Sequence, residues 1–256
     1  MENKELLVQK ERPGIAIFTL NRAEKRNSLT ISLLESLIQA FEGLKFPEQR
    51  VVILQGAGPV FCSGLDLHEV QQEDKRDHIF RHIAHLLKLM TSAPQIIISA
   101  IQGAAFAGAL ALVSASDITI AAENTQFGLQ ETRRGLVAAL IIALLMRQVR
   151  MRDLKEMTLT GEPINEKRAF EMGWISRIVP GEELLEASVN IAQSVLKGAP
   201  DATVRTKQFF HELESAQLDE GFQKALILHA ATGHTKEVKE GIESFLEKRL
   251  PYWDKQ

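Results

Sequence analysis

The stretch SAIQGAAFAGALALVSASD, residues 99–117, constrains the fold of this chain more than any other. It continues an apolar strand over residues 95–101, breaks at Gly103, and restarts at Gly108 as an uncharged run that reaches Asp117. A strand that turns through small residues into a buried helix leaves backbone N–H groups at the turn without helical partners. Such groups favour an anion or a developing oxyanion, and a glycine lets a ligand approach them closely. The pattern predicts an α/β fold with a candidate ligand site at this turn, although close packing alone would produce the same pattern.

Size and charge exclude several classes of protein. The chain has 256 residues, a net charge of −3 and a pI of about 6.2, which fits one α/β domain and implies no general attraction to nucleic acid or membranes. Its single cysteine, Cys62, excludes an internal disulfide and fits a reducing compartment. The first residues, MENKELLVQKERPG, lack the apolar core of a signal peptide, and no apolar run is long enough to span a bilayer. We therefore expect a soluble, cytoplasmic protein.

Hydrophobic periodicity and turn residues predict a core of strands and helices followed by a helical tail. A hairpin turns at Pro13-Gly14, and Ser32 with Glu35 has capping-box spacing at the start of an amphipathic helix. Further strands are expected over residues 50–55, 117–121, 125–127 and 175–179, and helices over 78–90, 138–149, 165–172, 182–197, 201–213, 217–232 and 235–249. We expect residues 1–196 to form the core and residues 197–256 a helical region that packs on it or on a neighbouring subunit.

Three local patterns are weak evidence for nucleotide or metal binding. The loop at residues 56–61 begins GAG but has phenylalanine where the dinucleotide pattern needs its third glycine. Residues 103–108 have the Walker glycine spacing, but Ala-Leu follows where Lys and Ser or Thr are required. His78, His82 and His85 have a helical spacing that could bind zinc, but a solvated helix flank is the simpler interpretation. We expect no metal site.

Six stretches, in this order, resemble the enoyl-CoA hydratase/isomerase, or crotonase, superfamily. They are LNRAEKRNSL (residues 20–29), FCSGLDL (61–67), QGAAFAGALAL (102–112), SDITIAAENTQFGLQET (116–132), LTGEPINEKRAFEMGWISRIV (159–179) and GIESFLEKRLPYW (241–253). The resemblance implies a crotonase (ClpP/crotonase-like) spiral of repeated ββα units with a C-terminal helical region, assembled as a homotrimer or homohexamer. It also implies an acyl-CoA thioester as substrate, with coenzyme A as part of that substrate and no separate cofactor.

The same resemblance implies roles for individual residues. Two backbone N–H groups, by position those of Ser63 and Gly108, would polarise the thioester carbonyl and stabilise an enolate. Contacts with coenzyme A are implied for Lys25, Arg26, Ser63, Leu65, Asp66 and Lys248. Without the resemblance, Lys25 and Arg26 are equally well explained as a solvated turn.

Glu131 in FGLQE is the implied acid and base, whereas Ala111 stands where two-glutamate hydratases of the family carry their other glutamate. Adding water needs one group to activate the water and another to deliver a proton to the α-carbon. With one carboxylate, moving a double bond by carrying a proton across a dienolate is the simpler reaction. We therefore expect an enoyl-CoA isomerase, or a hydratase or dehydratase that works with Glu131 alone. Without the resemblance, the simpler interpretation of Glu131 is a surface ion pair with Arg133 or Arg134.

Two alternatives to such an enzyme stay open. One is a polyketide-type dehydratase that acts on a carrier-bound thioester, and the other is a catalytically inactive acyl-CoA-binding homologue. RNA binding, found among some relatives, is disfavoured by the acidic net charge. Two departures from the family pattern predict a reshaped acyl pocket: Ala107-Gly108-Ala109 in place of a glycine triplet, and the glycine-free segment VAALIIAL at residues 137–144.

Overall fold

A computed structural model describes residues 4–70, 72–132 and 137–213, together with residues 236, 240, 247, 249 and 252. Within these residues the strands are β1 (Leu6–Arg12), β2 (Gly14–Leu20), β3 (Gln49–Gly56), β4 (Ile96–Ile101), β5 (Ala104–Phe106), β6 (Ile118–Ala122), β7 (Gln126–Gly128), β8 (Ile164–Asn165) and β9 (Arg177–Val179). The helices are α1 (Ile31–Glu42), α2 (Leu67–Val70), α3 (Glu73–Ser92), α4 (Gly108–Ser114), α5 (Ala139–Leu145), α6 (Met151–Thr160), α7 (Glu166–Glu171), α8 (Leu184–Leu196) and α9 (Pro200–Leu213). The helix expected over residues 217–232 lies outside the described residues, and so does most of the helix expected over residues 235–249.

The strands form a large sheet and a small one. In the large sheet the strand order is β1-β2-β3-β4-β6-β9. Strands β1 and β2 form the predicted antiparallel hairpin, and β2, β3, β4, β6 and β9 pair in parallel, each with the next. In the small sheet β5 pairs in parallel with β7, and β7 pairs antiparallel with β8. Parallel neighbours need crossover connections, which α1, α3 and α4 provide. The predicted α/β class is therefore confirmed.

Both faces of the large sheet are buried along its central parallel strands β2, β3 and β4. Alternate residues of β3 point to opposite faces. Val52 and Leu54 join the core that includes α1, α3 and α4, whereas Val51 and Ile53 join the core that includes α8. All four side chains are fully buried. The continuous apolar run RVVILQ therefore reflects burial on both faces and fixes β3 at the centre of the molecule.

Some local predictions need correction. The residue that caps α1 is Thr30, whose side-chain oxygen accepts a hydrogen bond from the Leu33 amide at 3.1 Å. Ser32 lies inside the helix instead, where its carbonyl accepts a bond from the Ser36 hydroxyl. Strand β5 and helix α6 were not predicted. Strand β5 begins only three positions after the end of β4, so the sequence pattern does not separate the two, and α6 buries only a few of its side chains.

Helix α9 is held to the core by a buried lysine. Lys207 Nζ donates to the Met90 carbonyl at 3.1 Å, to the Gln95 carbonyl at 2.8 Å and to Asp117 Oδ2 at 2.8 Å. Burial raises the pKa of the Asp117 carboxyl, and the Lys207 charge opposes that shift. Asp117 is thus a structural residue. The proposed boundary between residues 196 and 197 stays a prediction.

Candidate active site

Two loops at the same edge of the large sheet form the framework of the site. The loop after β3 and the loop after β4 lie together because these strands run parallel. The first loop is bound along β5: the Cys62 amide donates to the Ala104 carbonyl at 3.2 Å, and the Phe106 amide donates to the Cys62 carbonyl at 3.1 Å. This short parallel bridge brings residues 62–65 beside the turn from β5 to α4.

Gly64 is the point of closest approach between the two loops. Its φ is +93°, and a Cβ at this position would lie 2.7 Å from the Phe106 carbonyl oxygen and 3.2 Å from the Gly108 nitrogen. A side chain at Gly64 would therefore push the β5–α4 turn away. Glycine is required here both for its backbone conformation and for the space it leaves.

The turn before α4 keeps a glycine-like conformation although it contains alanine. Ala107 has φ 49° and ψ −123°, and its amide donates to the Gly128 carbonyl at 2.9 Å. Its carbonyl accepts a bond from the Leu110 amide at 2.8 Å. These bonds hold Ala107 at positive φ and join the turn to the end of β7. The departure Ala107-Gly108-Ala109 thus leaves the turn in place.

The donor pair differs from the one that the sequence predicts. The Ser63 amide donates to the Arg26 carbonyl at 2.9 Å, so the assignment of Ser63 as a donor to substrate is wrong. Leu65 takes its position: a Cβ on Gly108 would lie 3.5 Å from the Leu65 nitrogen. Within the part of the chain that the structure describes, neither the Leu65 amide nor the Gly108 amide donates to a protein group. Two amides without a described protein acceptor therefore lie close together where the two loops meet.

Both residues open onto a cavity of about 520 Å³. Its polar lining comes mainly from the two loops before α1 and α2 and from the segment after β7: Lys25, Arg26, Ser28, Ser63, Asp66, His68, Gln130 and Glu131. Its apolar lining comes mainly from α3, the β5–α4 turn and the segment that begins α5: Leu65, Leu67, Phe80, Ile83, Phe106, Ala107, Gly108, Ala111, Val137, Ala138, Ala139, Leu140 and Ile141. The cavity therefore joins a polar region to an apolar one.

Glu131 brings the carboxylate into this cavity. It follows β7, which pairs with β5, and so reaches the cavity from the strand beside the Gly108 turn. The side chain is half-buried, and its Oε2 atom is buried. Ala111 lines the same cavity one turn into α4 and is buried. The alternative partners Arg133 and Arg134 lie outside the described residues.

A buried asparagine fixes the loop that carries the two implied cationic contacts. Asn27 is fully buried, and its side-chain amide donates to the Ala57 carbonyl at 2.9 Å and to the Val60 carbonyl at 2.7 Å. Its Oδ1 accepts a bond from the Arg22 amide at 2.9 Å. This arrangement leaves Lys25 and Arg26 exposed at the wall of the cavity. Lys248, the remaining implied cationic contact, lies outside the described residues.

Asp66 lines the cavity but is engaged within the protein. Its Oδ2 accepts a bond from the Ser28 hydroxyl at 3.1 Å and lies 3.5 Å from Arg22 Nη1. Its Oδ1 accepts a bond from the His68 amide at 3.1 Å. Arg22 also contacts Glu5, with 2.9 Å between Nε and Oε1. This network was not predicted, because nothing in the sequence links Arg22 to a carboxylate more than forty positions away.

The remaining candidates are not brought into the site. Burial raises the pKa of the Cys62 thiol to about 12, so it is unsuited to act as a nucleophile. His82 and His85 of α3 face glutamates of α1, with 3.5 Å from His82 Nε2 to Glu35 Oε1 and 3.6 Å from His85 Nε2 to Glu42 Oε1. Among the described residues no group of three metal-binding side chains comes together, and no helix is long and apolar enough to cross a membrane.

The cavity thus brings together two adjacent main-chain amides, Glu131 and an apolar wall. Comparison with known proteins gives the family of the chain. A family model described as enoyl-CoA hydratase/isomerase matches residues 10–256. The chain belongs to this family.

Relatives and solved structures agree with this assignment. The chain is 34% identical to a Thermus thermophilus protein provisionally named an enoyl-CoA hydratase, over 96% of this chain and 99% of that one. It is similar to the crystal structure of an enoyl-CoA hydratase from Bacillus anthracis, with a TM-score of 0.93, 32% identity, and coverage of 98% and 100% of the two chains. Human enoyl-CoA hydratase domain-containing protein 3 also gives a TM-score of 0.93, with 27% identity and coverage of 97% and 100%. The predicted crotonase fold is confirmed.

Proposed function

We propose that the protein is an enoyl-CoA isomerase that holds the thioester oxygen with the Leu65 and Gly108 amides and transfers protons with Glu131. The observation that carries this proposal is the presence of two adjacent amides that donate to no described protein group and of Glu131 in a single cavity, with Ala111 at the other expected glutamate position. Asp66, the other carboxylate of the cavity lining, is bound to Ser28, His68 and Arg22. Glu131 takes a proton from the α-carbon of a 3-enoyl thioester. The resulting dienolate places negative charge on the oxygen that the two amides hold, and Glu131 returns the proton to the γ-carbon.

Each part of this reaction has a physical reason. The α-proton is too weakly acidic for a carboxylate unless the enolate oxygen is stabilised. One donor of this kind is typically worth about 100- to 1,000-fold in kcat. The reaction transfers a proton within the substrate, so its atoms balance without water or a redox cofactor. Ala111 supplies no second group to activate water.

Hydration is the second candidate because named relatives are hydratases. The two reactions give opposite signals: isomerisation of a 3-enoyl-CoA creates a conjugated enoyl thioester, whereas hydration of crotonyl-CoA consumes one. Ultraviolet absorbance of the conjugated thioester follows both. We expect isomerisation to have the larger kcat/KM. A larger kcat/KM for hydration would overturn the isomerase assignment.

Substitution of Glu131 tests the mechanism directly. Glu131→Gln keeps the size of the side chain but removes the proton acceptor, so we expect turnover of both substrates to be lost. Glu123→Gln is the matched control, since Glu123 is exposed and does not line the cavity. Full activity in Glu131→Gln would exclude the carboxylate from the reaction. Tight acyl-CoA binding by calorimetry without turnover of either substrate would favour the inactive acyl-CoA-binding homologue.

The nature of the thioester carrier is tested at the exposed loop. We propose that Lys25 and Arg26 contact phosphates of coenzyme A, because both are exposed at the cavity wall and both are natural phosphate partners. Replacing both with alanine should raise KM for enoyl-CoA but not for the enoyl-pantetheine thioester, which lacks the nucleotide. Equal KM values for the two thioesters in the unmodified enzyme would favour the carrier-bound dehydratase.

The remaining features of the proposal concern assembly and location. We propose a homotrimer or homohexamer, and sedimentation velocity would distinguish either from a monomer. The cytoplasmic location, the function without a separate cofactor and a role in fatty acid metabolism stay predictions.

A further inference from the structure

The acyl end of the cavity has a wall made of one continuous apolar segment. Residues 137–141 all line the cavity, and all five are aliphatic. Phe80 and Ile83 of α3 add apolar surface to the same cavity. The segment also runs from the interior to the surface: Ile141 is buried, whereas Val137 is 73% exposed.

We infer that the site, if it acts on thioesters as proposed above, selects an extended hydrocarbon acyl chain longer than butyryl. An acyl group that reaches from the Gly108 turn along residues 137–141 removes the exposed Val137 side chain from water. Burial of an apolar chain against such a wall is favourable in proportion to the area covered. A butyryl group has less apolar surface to cover the same wall, so we expect it to leave Val137 more exposed than a longer chain does.

Ala111 contributes to the same selection. Its small side chain is buried and lines the cavity where a glutamate would place a charge. The apolar wall therefore meets no charged side chain of α4. On the described part of the segment after β7, Gln130 and Glu131 line the cavity, and the carboxylate of this pair is that of Glu131. A hydrocarbon chain loses nothing in this environment, whereas a buried polar substituent needs a hydrogen-bond partner.

Binding of saturated acyl-CoAs tests the inference separately from catalysis, because these thioesters have no double bond to move. Calorimetric titration with butyryl-, hexanoyl-, octanoyl- and decanoyl-CoA should give a Kd that falls with chain length. Full burial of each added methylene would lower the Kd by about fourfold, the equivalent of ~0.8 kcal/mol, and this is the largest effect expected. We expect octanoyl-CoA to bind at least about tenfold more tightly than butyryl-CoA.

A matched pair of variants locates the effect. Val137→Asp should weaken octanoyl-CoA about tenfold more than it weakens butyryl-CoA, because it places a charge where the longer chain lies. Leu159→Asp is the control: Leu159 is 74% exposed, as Val137 is 73%, but it lies on α6 away from the cavity. Equal affinity for butyryl- and octanoyl-CoA, or an equal effect of the two variants, would overturn the inference and leave the proposed reaction intact. Failure to bind any acyl-CoA would overturn both.

Discussion

Gly64→Ala is the substitution that tests the donor pair most directly. The new Cβ would lie 2.7 Å from the Phe106 carbonyl oxygen and 2.9 Å from the Ala107 Cβ. The β5–α4 turn would have to move by roughly 0.5–1 Å to restore ordinary contact distances. A misplacement of about 1 Å at a reacting group can cost about 100-fold in rate. We therefore expect kcat for isomerisation to fall about 100-fold.

The same substitution also has a backbone cost, which a second glycine measures separately. Gly64 has φ +93° and Gly173 has φ +78°, and a Cβ on Gly173 would meet nothing within 4 Å. Gly173→Ala should therefore lower the free energy of unfolding by about 1–2 kcal/mol through the positive φ alone, with kcat unchanged. Gly64→Ala should lose at least as much stability because it adds the steric conflict.

Urea titration gives the free energies of unfolding for both variants, and absorbance of the conjugated thioester gives kcat. The values of kcat for the two variants and the parent protein are compared after each has been corrected for its folded fraction, so that lost stability is not counted as lost catalysis. Gly64→Ala with the kcat of the parent protein would refute the reasoning, because the Leu65 and Gly108 amides could then not depend on the approach of the two loops.

Three further predictions concern the framework. Lys207→Met should lower the free energy of unfolding by about 1–3 kcal/mol, because the buried Met90 and Gln95 carbonyls and the partly exposed Asp117 carboxylate lose their shared donor, and adding Asp117→Asn should recover part of the loss. Asn27→Ala should cost about 2–4 kcal/mol in the same urea assay, since the Ala57 and Val60 carbonyls lose their donor. Because the pKa of Cys62 rises from 9.0 to about 12 on folding, the unfolded chain loses this proton first. The Cys62 contribution to the free energy of unfolding should therefore fall as the pH rises from about 9 towards 12, and Cys62→Ala should make the measured slope shallower.

The sequence predicts the strands and the lining of the cavity better than it predicts which atoms are available there. The apolar run of β3 and the hairpin at Pro13-Gly14 are local signals, and both are confirmed. The choice between the Ser63 and Leu65 amides is not local. It depends on the Arg26 carbonyl, which the loop after β2 brings to the Ser63 amide. The residues of FCSGLDL do not predict that hydrogen bond, because its acceptor lies outside this stretch.

The apolar wall shows how far a local sequence signal reaches. The absence of glycine in VAALIIAL predicts a changed acyl pocket, but periodicity alone does not say which residues face the ligand. Ile141 is buried and Val137 is exposed, yet both line the cavity. The exposure of a side chain therefore does not tell whether it lines the cavity, because tertiary packing decides which residues face the ligand.

In the proposed mechanism the donors belong to the main chain, which makes their role compatible with the side chains found here. An amide N–H is the same in leucine, alanine or glycine, so Leu65 can donate as well as any other residue provided that Gly64 lets its loop approach Gly108. Ala107 reaches the required positive φ because hydrogen bonds to Gly128 and Leu110 hold it there. In the proposed mechanism, substitutions around the donors can therefore alter the acyl pocket without removing oxyanion stabilisation. Proton transfer, in contrast, depends on side chains, so under the same proposal alanine at position 111 alters which reaction the same donors serve.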